Sequence, residues 1–407
     1  MYYYSLNANV FIVEGKANSC IYDLNKSKLF SVNKALSNKL IEINKHAIPV
    51  DTIDLNLKII FQRLIQNDLL KITQTHSVNF IEDMIEKNSN IKFAWIEITD
   101  KCNLKCIHCY NESDSHCNNT MSLSDFYNVV DFLLKNGVSK VQITGGEPFL
   151  NKDLLKQMLD SIIGKFSYIE IFTNGTLITN EWFEYLLQNN IHIALSVHSY
   201  NSEMHDFVTR TKGSFNKTNI TIENLKKFGI PYRVCNVLMK DIELGEKNHD
   251  LYTLSKDKDV VRVTGRATFN LLDDELIKKR LITKESFQSP NTKSFFKRLV
   301  SGHNCFNDKI YITANLDVYP CVMERRIKHG SLKQKNFKLN NDLRKLTKDH
   351  IKECSICEYR YACFDCRPNS LSKDIYAKPW YCTYNPFTGN WMDANKFIQD
   401  IKHNLKE

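Results

Sequence analysis

FAWIEIT, residues 93–99, is followed two residues later by CNLKCIHC, residues 102–109. The first stretch is apolar, rich in β-formers and of strand length. The second sets three thiols, Cys102, Cys106 and Cys109, at spacing C-x3-C-x2-C directly after that strand. Working outward, the same rhythm recurs. Strand patterns cover Val141 to Thr144, Tyr168 to Thr173, His192 to Val197, Tyr232 to Met239 and Val260 to Thr264. Helical patterns lie between most of them: Ser122 to Lys135, opened by a capping-box-like Ser122/Asp125 pair, then Leu154 to Ile163, Glu181 to Gln188 and Asn216 to Phe228. Six β-α repeats predict a parallel sheet, and such sheets place their chemistry at the carboxyl ends of the strands. The thiol run sits at one of those ends.

The flanks differ in character. Residues 1–88 carry strand patterns at Asn9 to Glu14, Ser19 to Leu24 and Lys28 to Val32, then helical patterns at Lys34 to Lys45 and Leu57 to Lys71, with Pro49 between them. Leu271 to Ser301 reads as helical bridging material, and beyond residue 300 the rhythm is lost. The expected division is therefore residues 1–88, 89–300 and 301–407.

Composition excludes several classes. With 13 glycines and 8 prolines in 407 residues, the chain is neither collagen-like nor of low complexity. No apolar run approaches the ~20 residues that span a bilayer, and the start lacks a secretory pattern, so no membrane association and a cytoplasmic setting are expected. A net charge of +9 is spread along the chain without the basic, aromatic-interleaved stripe of a nucleic-acid groove. Thirteen cysteines in such a chain read as metal ligands rather than a disulfide scaffold. Cys20, Cys117 and Cys235 stand apart and read as small apolar side chains.

Three thiols at this spacing leave one iron of a cluster unligated, whereas a structural zinc site wants four closed ligands. His108 or Cys117 would supply the fourth for zinc. One β-α unit downstream stands Thr144-Gly145-Gly146-Glu147-Pro148, whose glycines permit close backbone approach and whose carboxylate suits an ammonium group. Together these motifs resemble the radical S-adenosylmethionine superfamily. The resemblance implies a partial (β/α)6 TIM-like barrel, with Gly145, Gly146 and Glu147 at the methionine amino group. It implies Asn174 and Ser196 as polar contacts, Arg210 as a carboxylate-binding arginine and Leu238 as an apolar wall for adenine. Thr264-Gly265-Arg266-Ala267 resembles the family's turn after the sixth strand.

The later cysteines resemble the irregular, cysteine-rich SPASM extension of that superfamily. The resemblance assigns Cys354, Cys357, Cys363 and Cys382 to one auxiliary [4Fe-4S] cluster, and Cys305, Cys321 and Cys366 to a second. Leu316 stands where the family has glycine, and two residues rather than three separate Cys363 from Cys366. On spacing alone, Cys354, Cys357, Cys363 and Cys366 could also form a four-thiolate zinc site.

The resemblance implies a chemistry as well: reductive cleavage of S-adenosylmethionine at the Cys102/Cys106/Cys109 cluster, then hydrogen abstraction from an unactivated carbon. The amino-terminal unit resembles the winged-helix modules with which peptide maturases bind leader peptides. The expected enzyme is thus a maturase of a ribosomally made precursor peptide, forming a thioether or carbon–carbon crosslink, with a flavodoxin or ferredoxin as reductant. An anaerobic sulfatase-maturase activity is the alternative, against which Val322 stands in place of that family's aspartate. A zinc-stabilised peptide-binding protein is the non-enzymatic one. Seven auxiliary cysteines cannot supply eight ligands, so one auxiliary iron is expected to be open or held by another group such as His303.

Overall fold

The computed structural model describes residues 1–86, 90–245, 257–285, 292–370 and 372–404. The boundary expected at 88/89 and part of the bridge expected at 271–301 lie outside them.

The amino-terminal unit opens with β1 (Tyr3–Leu6), β2 (Val10–Glu14), β3 (Ser19–Asp23), β4 (Lys28–Val32) and α1 (Lys34–Lys45). Asn33 caps α1 by accepting the Leu36 N–H. Then come α2 (Leu55–Gln66) and β5 (Leu70–Thr73), which pairs antiparallel with β1. The helix expected to continue to Lys71 stops at Gln66, because Asp68 turns into the left-handed region at φ 60° and redirects the chain into β5. β2, β3 and β4 form a three-stranded antiparallel sheet in that order. One core of this unit gathers Tyr4, Leu6, Leu40, Ile43 and Phe61. A second joins it to the rest of the molecule: Phe11, Val13 and Tyr22 pack against Phe296, Val300 and Tyr361.

Among the described residues, the central sheet has nine strands. Its parallel part is β6 (Phe93–Glu97), β7 (Lys140–Thr144), β8 (Tyr168–Thr173), β9 (His192–Ser196), β10 (Tyr232–Leu238) and β11 (Asp257–Val260). These neighbour one another in chain order, alternating with α3 (Leu123–Lys135), α4 (Lys152–Ile162), α5 (Asn180–Gln188), α6 (Ser202–Thr209) and α7 (Ser214–Phe228). The helices bury one face each against the sheet; α3 contributes Phe126, Val129, Val130 and Leu133 to the main core. Ser122 caps α3 by accepting the Asp125 N–H and donating to its carboxylate. The fold is the expected α/β partial barrel. The last strand is displaced: it ends at Val260, where the sequence pattern had it begin, so residues 261–264 form the loop beyond its carboxyl end.

Beyond α8 (Asp274–Arg280) and α9 (Lys293–Ser301) the chain returns to this sheet. β12 (Lys309–Ile312) pairs parallel with β6, Ile310 opposite Ala94, and β13 (Asp317–Tyr319) and β14 (Gly330–Ser331) continue the sheet antiparallel. The carboxyl-terminal region is thus stitched into the barrel sheet at its first strand, not merely appended after residue 300. In the turn between β12 and β13, Leu316 has φ 67°, the left-handed region that favours glycine. It keeps the position because its side chain is buried in the main core. A Leu316→Gly variant relieves roughly 1 kcal/mol of backbone strain but forfeits about 2–3 kcal/mol of burial. Net destabilisation by about 1–2 kcal/mol in urea unfolding is expected.

Candidate active site

The carboxyl ends of the parallel strands surround a cavity of about 540 Å³. Cys102, Cys106, Cys109, Gly145, Gly146, Asn174 and Ser196 all line it. The thiol loop follows β6 and is held from several sides. Cys102 N–H donates to Asp114 O at 3.0 Å, and Lys105 and Ile107 donate to Thr209 and Val208 at the end of α6. The Asn174 amide reaches Asn103 Oδ1 at 2.9 Å and the Cys102 sulfur at 3.9 Å.

Gly145 and Gly146, which line the cavity, also serve the packing of the chain around it. A Cβ on Gly145 would lie 2.4 Å from Thr99 O, and one on Gly146 2.2 Å from Lys101 O. Both collisions are with the chain entering the thiol loop, so the glycines let the ends of β6 and β7 press together. Gly146 N–H donates to Thr99 O at 2.7 Å and Glu147 N–H to Lys101 O at 2.9 Å. The Glu147 carboxylate, expected to face an ammonium group, is fully buried beneath this turn. It accepts from Thr173 Oγ1 at 2.7 Å, Asn174 N–H at 2.8 Å and Phe149 N–H at 3.0 Å. Burial raises its pKa against those three bonds. Glu147 therefore ties the ends of β7 and β8 together and is absent from the cavity wall.

Two other expected contacts also lie off the wall. Leu238 packs in the side cluster with Val208, Met239 and Val260, while its neighbour Val237 faces the cavity. Arg210 ends α6 in the left-handed conformation and is exposed, though its charge bears on the Cys106 thiol. Cys235, read from sequence as a small apolar residue, instead lines the cavity with its sulfur 3.0 Å from Arg233 Nη1.

The structure adds His198 and His205 to the wall and gives new roles to His108, weighed above as a zinc ligand, and to Arg266 of the turn after the sixth strand. Along one wall His108 meets His198 edge to face, with ring centroids 4.5 Å apart, and His198 stacks on His205 at 5.5 Å. Burial lowers all three pKa values, His108 and His205 to about 4, so the array is neutral near pH 7. Arg266 clamps the thiol loop: its guanidinium donates to Ser113 O at 2.8 Å and to Glu112 O, with Asp114 Oδ2 at 3.3 Å. Gly265 makes room for this, since a Cβ there would meet Cys109 O at 2.5 Å. Arg266→Gln is expected to loosen the loop by about 2 kcal/mol, because several carbonyls lose their donor. Faster amide hydrogen exchange across residues 102–114, with unchanged exchange in α4, is the readout. Asp114 is pulled down to about 2 by the His116 N–H and Lys105. A depressed carboxyl contributes stability above its unfolded pKa near 4 that is lost as pH falls through 2.

The later thiols gather in two groups. Cys321 lies within electrostatic reach of Cys305 and Cys366, and Cys354 and Cys357 within reach of Cys363 and Cys382. Burial pushes Cys106 and Cys354 up to about 12 and Cys321 to about 11, so loading metal must displace protons. Among the described residues, no three Cys, His, Asp or Glu side chains converge on a point that one metal ion could fill. Arg262 joins the trio to the cavity: it lines the wall, pairs with Asp259 at 2.8 Å, and feels Cys366, Cys321 and Cys305. His303 turns away from the trio. Its Nδ1 accepts from Cys305 N–H and Phe306 N–H, both at 3.1 Å, and its Nε2 lies 3.8 Å from Asp365.

The cavity fits a polar, thiolate-bound cofactor. His108 Nδ1, His198 Nδ1, Arg262 Nε and Thr264 Oγ1 are buried without a hydrogen-bond partner, and all four residues line it. Buried polar groups left so are costly unless a ligand meets them.

Comparison with known proteins agrees. Residues 96–248 match the model of the radical SAM superfamily. The chain is 39% identical over 165 residues to the antilisterial bacteriocin subtilosin biosynthesis protein AlbA of Bacillus subtilis, covering 39% of this chain and 37% of that one. It is 30% identical over 185 residues to a GTP 3′,8-cyclase of Clostridium acetobutylicum, covering 44% and 57%. The chain thus spans well under two thirds of the length of either relative. Among solved structures, Streptococcus suis SuiB bound to precursor peptide SuiA aligns over 92% of this chain and 98% of that one at TM-score 0.54 and 14% identity. AnSMEcpe with bound AdoMet and Kp18Cys peptide covers 77% and 98% at TM-score 0.52 and 18% identity. No helix among the described residues is long and apolar enough to cross a membrane. Fold, loop and family match converge: residues 96–248 are a radical S-adenosylmethionine domain, the kind that works with a [4Fe-4S] cluster and S-adenosylmethionine.

Proposed function

We propose that this chain is a cytoplasmic maturase that modifies a precursor peptide, forming a thioether or carbon–carbon crosslink. The observation that carries the reading is the adjacency of two thiol groups at one cavity: Cys102, Cys106 and Cys109 on its wall, and the Cys305/Cys321/Cys366 trio behind Arg262. When bound, the cluster and S-adenosylmethionine supply reductive cleavage and a carbon radical; the chain binds, orients and shields. Cys102, Cys106 and Cys109 would hold the cluster, leaving one iron for S-adenosylmethionine. Asn174 and Ser196 would meet its polar groups, and the histidine array would wall the pocket.

The trio would hold an auxiliary cluster one thiolate short, since the His303 Nδ1 is occupied by the Cys305 and Phe306 N–H groups. A substrate cysteine there would complete the ligand set and favour a thioether. Cys354, Cys357, Cys363 and Cys382 would hold the other auxiliary cluster. A flavodoxin- or ferredoxin-type protein would deliver the electron.

Residues 1–88 would bind the leader. β4 pairs with β3 alone among the described strands, which leaves an edge for a peptide strand. Nearby in the same unit, α2 exposes Leu55, Ile59 and Ile60. Similarity to a bacteriocin biosynthesis protein and to a protein solved with a precursor peptide bound supports a peptide substrate.

The test is anaerobic reconstitution, with iron and sulfide counts and 5′-deoxyadenosine measured with and without candidate precursor peptides. Three clusters and peptide-dependent mass change are expected; zinc without iron would overturn the reading. Ile59→Glu with Ile60→Glu should weaken peptide binding at least tenfold while sparing uncoupled S-adenosylmethionine cleavage. Unchanged affinity in that folded variant would make the unit a structural cap.

A further inference from the structure

Lys348 is only 5% exposed, and a lysine is almost never so buried unless something answers its charge. It begins a short turn, Lys348–His350, capped by Thr347, so its backbone is held firmly. The groups facing it are Cys363, Asp365, Cys354 and Tyr381. Asp365 is its one formal counter-charge there, and it lies 4.0 Å away. Its Oδ1 accepts from Arg367 Nη2 at 2.7 Å, while its buried Oδ2 has no hydrogen-bond partner and lies 3.8 Å from His303 Nε2. Its backbone N–H and carbonyl are both bonded to Asn304 at 2.9 Å. Lys348, Asp365 and Arg367 therefore sum to one positive charge, fully buried, and no second carboxylate stands among the groups facing Lys348 in the described residues. Cys363 and Cys354 are the thiols within its electrostatic reach, and Cys363 shares a side-chain hydrogen bond with it.

We propose that Lys348 is a positioning residue whose fixed charge raises the reduction potential of the cluster held by Cys354, Cys357, Cys363 and Cys382. The proposal rests on the reading that those four thiols carry a cluster. The physical argument is brief. A four-thiolate cluster gains one negative charge on reduction, and a cation beside its sulfurs stabilises that charge more than the oxidised state. In a buried setting the attraction is screened little. Hydrogen bonds to the sulfurs act in the same direction. Asp365 opposes the effect, because it is the nearest negative charge to the same lysine. The two side chains should therefore move the potential in opposite senses.

The experiment uses the full-length, reconstituted protein in the background in which Cys102, Cys106 and Cys109 are alanine, so that only auxiliary clusters report. Potentials are read by electron paramagnetic resonance during titration with dithionite. Lys348→Met should lower the potential of one auxiliary signal, changing its oxidised-to-reduced ratio at fixed potential at least tenfold, about 59 mV for one electron. Lys348→Arg should restore most of it, and the other auxiliary signal should not move. Asp365→Asn should shift the same signal upward. Unmoved potentials at full iron content, or shifts of the same sign in the two variants, would overturn the proposal. If Lys348→Met fails to load iron, Asp365→Asn decides alone: a rise supports it and no rise overturns it. A parent protein with no auxiliary signal at all would instead remove the cluster reading, an outcome distinct from a cluster whose potential ignores Lys348.

Discussion

Replacing Cys102, Cys106 and Cys109 together by alanine is expected to reduce 5′-deoxyadenosine formation to background while the iron held by the carboxyl-terminal thiols remains. The expectation follows from where the thiols stand. These three line the cavity, share one loop, and face the buried, unpartnered polar atoms of His108, His198 and Thr264. The other two groups lie behind Arg262 or farther away. The substitution should be gentle on the fold, because the loop is held mainly by backbone bonds to Asp114, Val208 and Thr209 and by Arg266, none of which involves sulfur. Loss of activity with an unchanged melting transition would therefore report chemistry rather than unfolding. Retained cleavage in the triple variant would remove the assignment.

Gly146→Ala should be the most damaging single methyl group in the barrel. The added carbon would sit 2.2 Å from Lys101 O, 2.4 Å from Lys101 C and 2.7 Å from Asp100 O, all backbone atoms that cannot swing aside. The end of β7 must then part from the thiol loop, which breaks the Gly146–Thr99 and Glu147–Lys101 bonds. Two lost buried bonds and the displacement cost on the order of 3 kcal/mol. Gly164→Ala is the control. Its φ is +77° and nothing lies within 4 Å of the new carbon, so only the conformational penalty of about 1 kcal/mol remains. Guanidinium unfolding should separate the two by roughly 2 kcal/mol. S-adenosylmethionine binding, followed calorimetrically, should be weakened in Gly146→Ala alone. Equal stabilities would mean that the two strand ends are not wedged together.

Much of this was legible beforehand for a physical reason. Buried parallel strands such as β9, with Ile193, Ala194 and Leu195 all buried, are apolar on both faces, and their helices keep a clean 3.6-residue stripe, so the β-α rhythm survives in a single sequence. Legibility failed where structure depends on distant partners. β12 is four residues long and owes its place to β6, more than two hundred residues earlier. β11, Asp257–Val260, is polar at an edge and carries little strand signal. The expected helix through Lys71 counted Leu69 and Leu70 as one more turn, when Asp68 had already reversed the chain.

At the site, the ligand-type residues were visible because their spacing is local. Roles that depend on which way a side chain faces were not. Glu147 looks inward to Thr173, Leu238 looks away from the cavity, and the three histidines converge from the thiol loop, from beyond β9 and from α6. The one available hint for Arg266 was its place in a Gly-Arg-Ala turn directly after the last parallel strand.

The parallel pairing of β12 with β6 also bears on how this chain can be recombined. A chimera joined at the apparent end of the barrel, near residue 300, would exchange an inner strand of the sheet along with the carboxyl-terminal cysteines. The donor segment would have to match the pleat of Phe93 to Ile96 residue for residue, since a one-residue slip turns Ile310 and Ile312 out of the core and swings Cys321 to the opposite side. Grafts that cross after Tyr319 keep β12 and β13 in register and exchange, of the sheet, only the two-residue edge strand β14. Transferable units in this molecule are therefore bounded by strand register, and a library built on cysteine motifs alone would cut through its frame.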